Sequence, residues 1–188
     1  MNRMINTGTL RSDPQENTVP ATADVLSYAV TNCELGKVLV ARSPKGVCSI
    51  LLGDDAEVLV EDLAGRFPQA ILVPNEPAVK DDVAGVLDYL VKPSGGLQLT
   101  LDMRGTPFQR RVWEKLRAIP AGRTVSYTEL AGWLSPLSHP RAVATACAAN
   151  PVALAIPCHR VVRGNGALAG YRWGIERKRI LIEKEARA

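Results

Sequence analysis

Residues 126–162 read SYTELAGWLSPLSHPRAVATACAANPVALAIPCHRVV, and this stretch decides how the chain is read. Ser126-Tyr127-Thr128-Glu129 is a capping box, with Tyr127, Leu130, Ala131 and Leu134 spaced i, i+3, i+4, i+7 along the helix it opens. After a turn holding Pro136, Ser138-His139-Pro140-Arg141 can cap a second helix, which Asn150-Pro151 stops. Two short helices joined by a tight turn suggest a helix-turn-helix, although αα-hairpins without nucleic-acid partners share the pattern. The second helix is dominated by Ala142, Ala144, Ala146, Ala148 and Ala149, and Arg141 is its one long charged side chain. Major-groove reading needs long polar side chains at base edges. A small-residue surface instead suits either close, sequence-independent approach to a narrow groove or tight packing against a neighbouring helix. Arg141 near the helix start opposes the macrodipole, and it has the length to enter a base stack vacated by an extruded nucleotide.

Chemistry concentrates at Ile156-Pro157-Cys158-His159-Arg160-Val161-Val162. A thiol attacks as thiolate and needs a base or a positive field beside it, and His159 is the candidate base. Adjacent residues in an extended strand point to opposite faces, so a turn or a bridging water is required for the two to communicate. Glu185, late in a final basic helix, is a candidate to orient the histidine. The alternative is a surface ion pair with Arg177, Lys178 or Arg179.

Working outward, Thr106-Pro107-Phe108-Gln109 starts another helix, with Phe108, Val112, Leu116 and Ile119 as its apolar stripe, ended by Pro120 and Gly122. Upstream, three β-rich runs between Val25 and Leu52, broken at Glu34-Leu35-Gly36 and Ser43-Pro44-Lys45-Gly46, predict an antiparallel meander. Asp54 and Glu57 resemble a capping box for a helix to about Phe67, Pro77 can start one to about Val91, and Leu97, Leu99 and Leu101 alternate like a half-buried strand. The fold class expected is α/β plus α: a small α/β unit over 24–102, then a helical unit over 103–188. Residues 1–23 are polar, carry Pro14 and Pro20 without apolar periodicity, and are expected to form a flexible tail.

Of 188 residues 46% are hydrophobic and 22% charged, which is ordinary for a folded soluble protein. The chain has neither a long apolar run nor a secretory leader pattern, so a cytoplasmic protein without membrane contact is expected. The overall charge of +4 conceals a segregation: residues 103–188 hold 15 Lys and Arg against 5 Asp and Glu, whereas 1–102 hold 8 against 14. A basic half of this kind fits a face that neutralises phosphates; a solvated face without a partner is the alternative. Cys33, Cys48, Cys147 and Cys158 lack C-x-x-C spacing and only His139 and His159 accompany them, so no metal site is indicated.

Pro157-Cys158-His159-Arg160 resembles the active-site motif of the O6-alkylguanine-DNA alkyltransferases (methylated-DNA–protein-cysteine S-methyltransferases). Arg141-Ala142-Val143, Ala148-Ala149-Asn150-Pro151 and Gly170-Tyr171-Arg172-Trp173-Gly174 are similar to the bacterial Ada and Ogt types. The likeness runs from about Thr106 to Glu185, with a looser one from Tyr28 to Gly53. It implies an RNase H-like N-terminal domain, a DNA-binding domain with a helix-turn-helix in the minor groove, and single-turnover transfer of an alkyl group from O6 of guanine in duplex DNA to Cys158. By the same resemblance His159 acts as base through water and Glu185 orients it. Tyr127 contacts the target base and helps rotate its phosphate. Arg141, followed by Ala142 on the DNA-facing helix, replaces the flipped nucleotide, and Asn150 joins that helix to the active-site turn. Val161, Tyr171 and Arg172 match pocket positions, Val161 and Arg172 through backbone groups. No metal or cofactor is implied, the chain is expected to act as a monomer on double-stranded DNA, and O4-alkylthymine stays open as a second lesion. The turn at Ser135–Pro140 departs from the family's glycine-containing one. Trp173 and Ala153 replace the glycine and proline of some relatives, which predicts a narrowed pocket favouring methyl over benzyl adducts. Two rivals remain at this level: a DNA-binding module in which Cys158 is merely buried, and a Cys-His hydrolase that turns over.

Overall fold

The computed structural model describes residues 24–188, and the tail expected at 1–23 lies outside them. The meander forms as expected, with strands β1 (Val25–Cys33), β2 (Gly36–Ser43) and β3 (Gly46–Gly53) paired antiparallel. A fourth strand, β4 (Ile71–Pro74), adds parallel to β1 and gives the order β3-β2-β1-β4. It is absent from the sequence reading because four residues ending in proline carry too little periodicity to register.

Helix α1 (Ala56–Arg66) is capped by Asp55, whose carboxylate accepts from the backbone of Glu57 and Val58. This corrects the assignment to Asp54, which instead pairs with Arg177 at 2.6 Å. Helix α2 (Glu76–Val91) takes Asn75 as its cap, one residue ahead of the start expected from Pro77. The leucines at 97, 99 and 101 do alternate between half-buried and exposed neighbours, but they form no strand. Leu101 alone bridges to Val47, because the segment lies along β3 for only one residue pair.

The later half is helical around a two-stranded ladder. Helix α3 (Pro107–Arg117) has the full Thr106–Gln109 capping box, and α4 (Tyr127–Leu134) has the Ser126–Glu129 box. Helix α5 (Pro140–Ala148) is capped by the His139 ring, whose Nδ1 accepts from the Arg141 backbone. Val112, Trp113 and Leu116 bury one face of α3, and the Trp113 indole donates to the Ala146 carbonyl at 2.9 Å, locking α3 onto α5. Strands β5 (Val125–Ser126) and β6 (Val161–Val162) pair in parallel, which sets the start of α4 beside the Cys158 segment. Helix α6 (Ile175–Ala186) closes the chain. Among the described residues no helix is long and apolar enough to cross a membrane.

One apolar core runs through both halves, from Leu26, Leu39 and Ile50 on the sheet to Trp113, Val143 and Ile156. The free edge of β3 is what joins them. Val47 donates to Thr100 and accepts from Asp102, while Ile50 donates to the Pro151 carbonyl and accepts from Ala153. An edge strand that would otherwise expose unpaired groups is thereby covered, and the segment leading to Cys158 is pinned to the sheet.

Gly46, at φ +140°, sits where that edge is tightest: an added Cβ would lie 2.5 Å from the Thr100 carbonyl oxygen. Gly46→Ala is expected to destabilise the fold by about 2 kcal/mol or more, since both the conformation and the space are refused. A urea midpoint equal to that of the parent chain would contradict this.

Candidate active site

Between β6 and α5, residues Cys158–Arg160 form a single 3-10 turn, so the chain supplies the irregular backbone that a Cys-His pair requires. The Cys158 thiol, 6% exposed, lines an open cavity of about 430 Å³ with Tyr127, Ala144, Cys147, Ala148, Ala169, Gly170, Tyr171 and Arg172. Of the residues singled out from sequence, Tyr127, Tyr171 and Arg172 stand in this wall. Asn150, His159, Val161 and Glu185 are buried behind it, and Arg141 and Ala142 lie exposed on α5. Arg141, Ala144, Thr145 and Ala148 follow i, i+3, i+4, i+7, so Arg141 shares the helix face that walls the pocket.

Asn150 is wholly buried and fully used. Its amide nitrogen donates to the Ile156 carbonyl at 2.8 Å and to Cys158 Sγ at 3.3 Å, while its oxygen accepts from the Val152 backbone. It ties the end of α5 to the reactive turn. Burial pushes the Cys158 thiol above its ordinary value, and the Asn150 hydrogen bond and the Lys178 charge oppose this. The resting group is a thiol, so reaction requires a proton acceptor.

The neighbouring His159 ring is held by Glu185. His159 Nε2 lies 2.7 Å from Glu185 Oε1, and Arg160 donates to both carboxylate oxygens, at 2.9 and 3.0 Å. Tyr89 adds a third donor at 2.6 Å. Burial alone would raise the Glu185 carboxyl, but these bonds prevail and hold it down to about 2. An ionised carboxylate only accepts, so Nε2 carries the histidine proton and Nδ1 keeps a lone pair. Nδ1 is buried and has no hydrogen-bond partner among the described residues. Burial holds His159 below its ordinary value despite the carboxylate, which leaves the ring neutral and basic.

The surface ion pair considered for Glu185 is not formed. Arg177 pairs with Asp54, Arg179 with Glu176 and Glu183, and Lys178 is buried with its ammonium on the Val161 and Ala169 carbonyls. Arg160, Tyr89 and Lys178 are therefore site residues that sequence reasoning passed over. Arg160 stood inside the quoted motif; Tyr89, in a helix far upstream, left no local signal. Cys147 reaches the pocket wall rather than serving only as core. The narrowing expected from Trp173 and Ala153 is not found. Neither lines the cavity, because Trp173 packs edge-on behind Tyr171 at 5.1 Å and Ala153 is buried beside β3. Tyr127 is raised to about 12, first by burial and then by the neighbouring thiols, and so remains a proton donor.

An α/β sheet followed by helices thus presents a buried thiol to an open pocket with a His–Glu pair behind it. Residues 107–187 match the family model for the DNA-binding domain of 6-O-methylguanine DNA methyltransferase. The chain is 50% identical over 159 residues to the bifunctional transcriptional activator/DNA repair enzyme Ada of Escherichia coli, covering 85% of this chain but 45% of that protein. It thus spans about half the length of Ada. With the inducible methylated-DNA–protein-cysteine methyltransferase of Bacillus subtilis it shares 38% over 132 residues, 70% of this chain and 74% of the relative. The crystal structure of Mycobacterium tuberculosis OGT in complex with DNA superposes with a TM-score of 0.67 at 31% identity, covering 86% of this chain and 93% of that one. This chain belongs to the methylated-DNA–protein-cysteine methyltransferase family.

Because the Glu185 carboxyl is depressed from 4.5 to about 2, its contribution to stability, about 3 kcal/mol, is complete above pH 4.5 and is lost as pH falls toward 2. The lowered His159 acts in the same direction, since the unfolded ring protonates first as pH falls below 6.5. Unfolding midpoints measured from pH 7 to pH 3 should fall steeply for the parent and less steeply for Glu185→Gln. Parallel curves would contradict the assignment.

Proposed function

We propose that this chain repairs duplex DNA by moving an alkyl group from O6 of guanine to Cys158 in one irreversible turnover. The observation that carries the reading is the Cys158 thiol lining an open pocket, with the ionised Glu185 fixing His159 as a neutral base behind it. The thiol proton passes through one bridging water to His159 Nδ1, the Cys158 S–C bond forms as the alkyl C–O6 bond breaks, and the released electron pair stays on guanine. Tyr127 donates a proton to the departing base, and solvent exchange returns the His159 proton to Tyr127. A thioether has no easy hydrolytic route, so the protein is consumed.

Helices α4 and α5 act as a helix-turn-helix whose small-residue face lies in the minor groove, with Ala142 against the backbone and Arg141 filling the gap left by the flipped nucleotide. Tyr171 packs beside the base, and Val161 and Arg172 offer backbone groups to guanine. The Val161 carbonyl is already held by Lys178, which fixes its position. Residues 24–102 make an RNase H-like domain and 103–188 the DNA-binding alkyltransferase domain, with the shared core holding them as a unit. The protein works in the cytoplasm as a monomer on double-stranded DNA, with O6-alkylguanine as lesion and O4-alkylthymine as a second candidate substrate.

DNA carrying radiolabelled O6-methylguanine should leave one equivalent of label on the protein, located at Cys158 and missing in Cys158→Ala. Intact lesion beside unmodified protein would remove the proposal, and repeated turnover would favour a hydrolase. Arg141→Ala should slow transfer from duplex DNA about tenfold or more while leaving the reaction of Cys158 with iodoacetamide unchanged. Equal slowing of both reactions would show that Arg141 acts on the fold rather than on base extrusion.

A further inference from the structure

Tyr89 lies on α2, packed against the sheet and 69 residues upstream of Cys158, yet its hydroxyl is among the groups that close around the buried carboxylate. It donates to Glu185 Oε1 at 2.6 Å and accepts from Arg160 Nη2 at 3.1 Å. The side chain is 3% exposed, and burial beside Glu185 keeps the phenol protonated, so the donor is permanent. Glu185 Oε1 therefore receives His159, Arg160 and Tyr89 together, while Oε2 receives Arg160 and, at 3.4 Å, the Gly122 backbone. Only one of these groups, Tyr89, comes from the first half of the chain.

Resting on the alkyl-transfer reading above, we propose that Tyr89 is a positioning residue for the reaction, which sets the basicity and orientation of His159 by drawing carboxylate charge away from it. The carboxylate shares its negative charge among its donors. With the phenol in place, less of that charge is felt at Nε2, and His159 remains a neutral base. Without it, Oε1 binds the histidine proton more strongly and stabilises the imidazolium, which cannot accept a proton from the thiol. The other charged or titratable groups facing His159 are Lys178 and Glu185 from α6, Arg160 and Cys158 from its own turn, and Tyr171 from the pocket wall. Tyr89→Phe leaves these in place and removes one hydroxyl. The first half of the chain thereby tunes the chemistry of the second through a single hydrogen bond, in addition to supporting it mechanically.

The test is the pH dependence of Cys158 alkylation by iodoacetamide, followed by intact mass on the full chain, in the parent, Tyr89→Phe, His159→Gln and Val86→Ala. Val86 is buried on the same helix and makes no contact with the network through a polar group, so it reports destabilisation alone. Tyr89→Phe should move the acid limb of the profile up by about half a unit, so that alkylation on that limb slows about threefold while the plateau above it is kept. Val86→Ala should lower the thermal midpoint and leave the limb where it is. An unmoved limb in Tyr89→Phe, or the same movement in Val86→Ala, overturns the role given to Tyr89. If His159→Gln also matches the parent, the fault lies with the activation of Cys158 by His159, and the broader functional reading fails with it.

Discussion

The buried carboxylate of Glu185 is the constraint around which the later half of the chain is arranged. A desolvated anion is tolerable only when its lone pairs are filled, and here donors converge on it from the 3-10 turn, from α2 and from the turn before β5. Each of those donors is fixed in turn. Arg160 also donates to the Ile119 carbonyl at the end of α3, which ties that helix to the same centre. The histidine ring is wholly buried with Nε2 on the carboxylate, and its tautomer follows from the charge on its partner.

A second anchorage comes from the sheet. The edge of β3 needs hydrogen-bond partners, and the chain supplies them from Thr100–Asp102 and from Pro151–Ala153. The latter segment leads directly into Leu154, held at φ 67°, and then the reactive turn. A non-glycine residue in the left-handed region persists only where its surroundings over-determine it, and Asn150 on one side and the β3 edge on the other do so. Sheet and turn are in this way one mechanical unit, although they lie about a hundred residues apart in the chain.

Against this background the local elements were the most legible. Both capping boxes, the meander and the last helix follow from side chains a few residues apart, since capping and alternation are local interactions. Short or one-residue pairings were not: β4 and the Leu101 bridge depend on what lies beside them, and Asp54, one residue ahead of the actual cap, pairs instead with Arg177. Within the site, Cys158 and His159 announced themselves by adjacency. Lys178 and Tyr89 did not, because a lysine or tyrosine in a helix is ordinary until burial and partners are known.

By itself the amino-acid sequence determined which residue types could do chemistry, where α3 and α4 would begin, and that a basic half would follow an acidic one. Those are properties of single residues and near neighbours, and no folding is needed to read them. Only the tertiary structure decided that Glu185 turns inward rather than pairing on the surface, that Trp173 stands behind the pocket rather than in it, and that α2 contributes a hydroxyl to a site in the other half. The physical reason is the same each time: burial sets the energy of a charge or a ring, and burial is fixed by elements that meet only when the whole core closes.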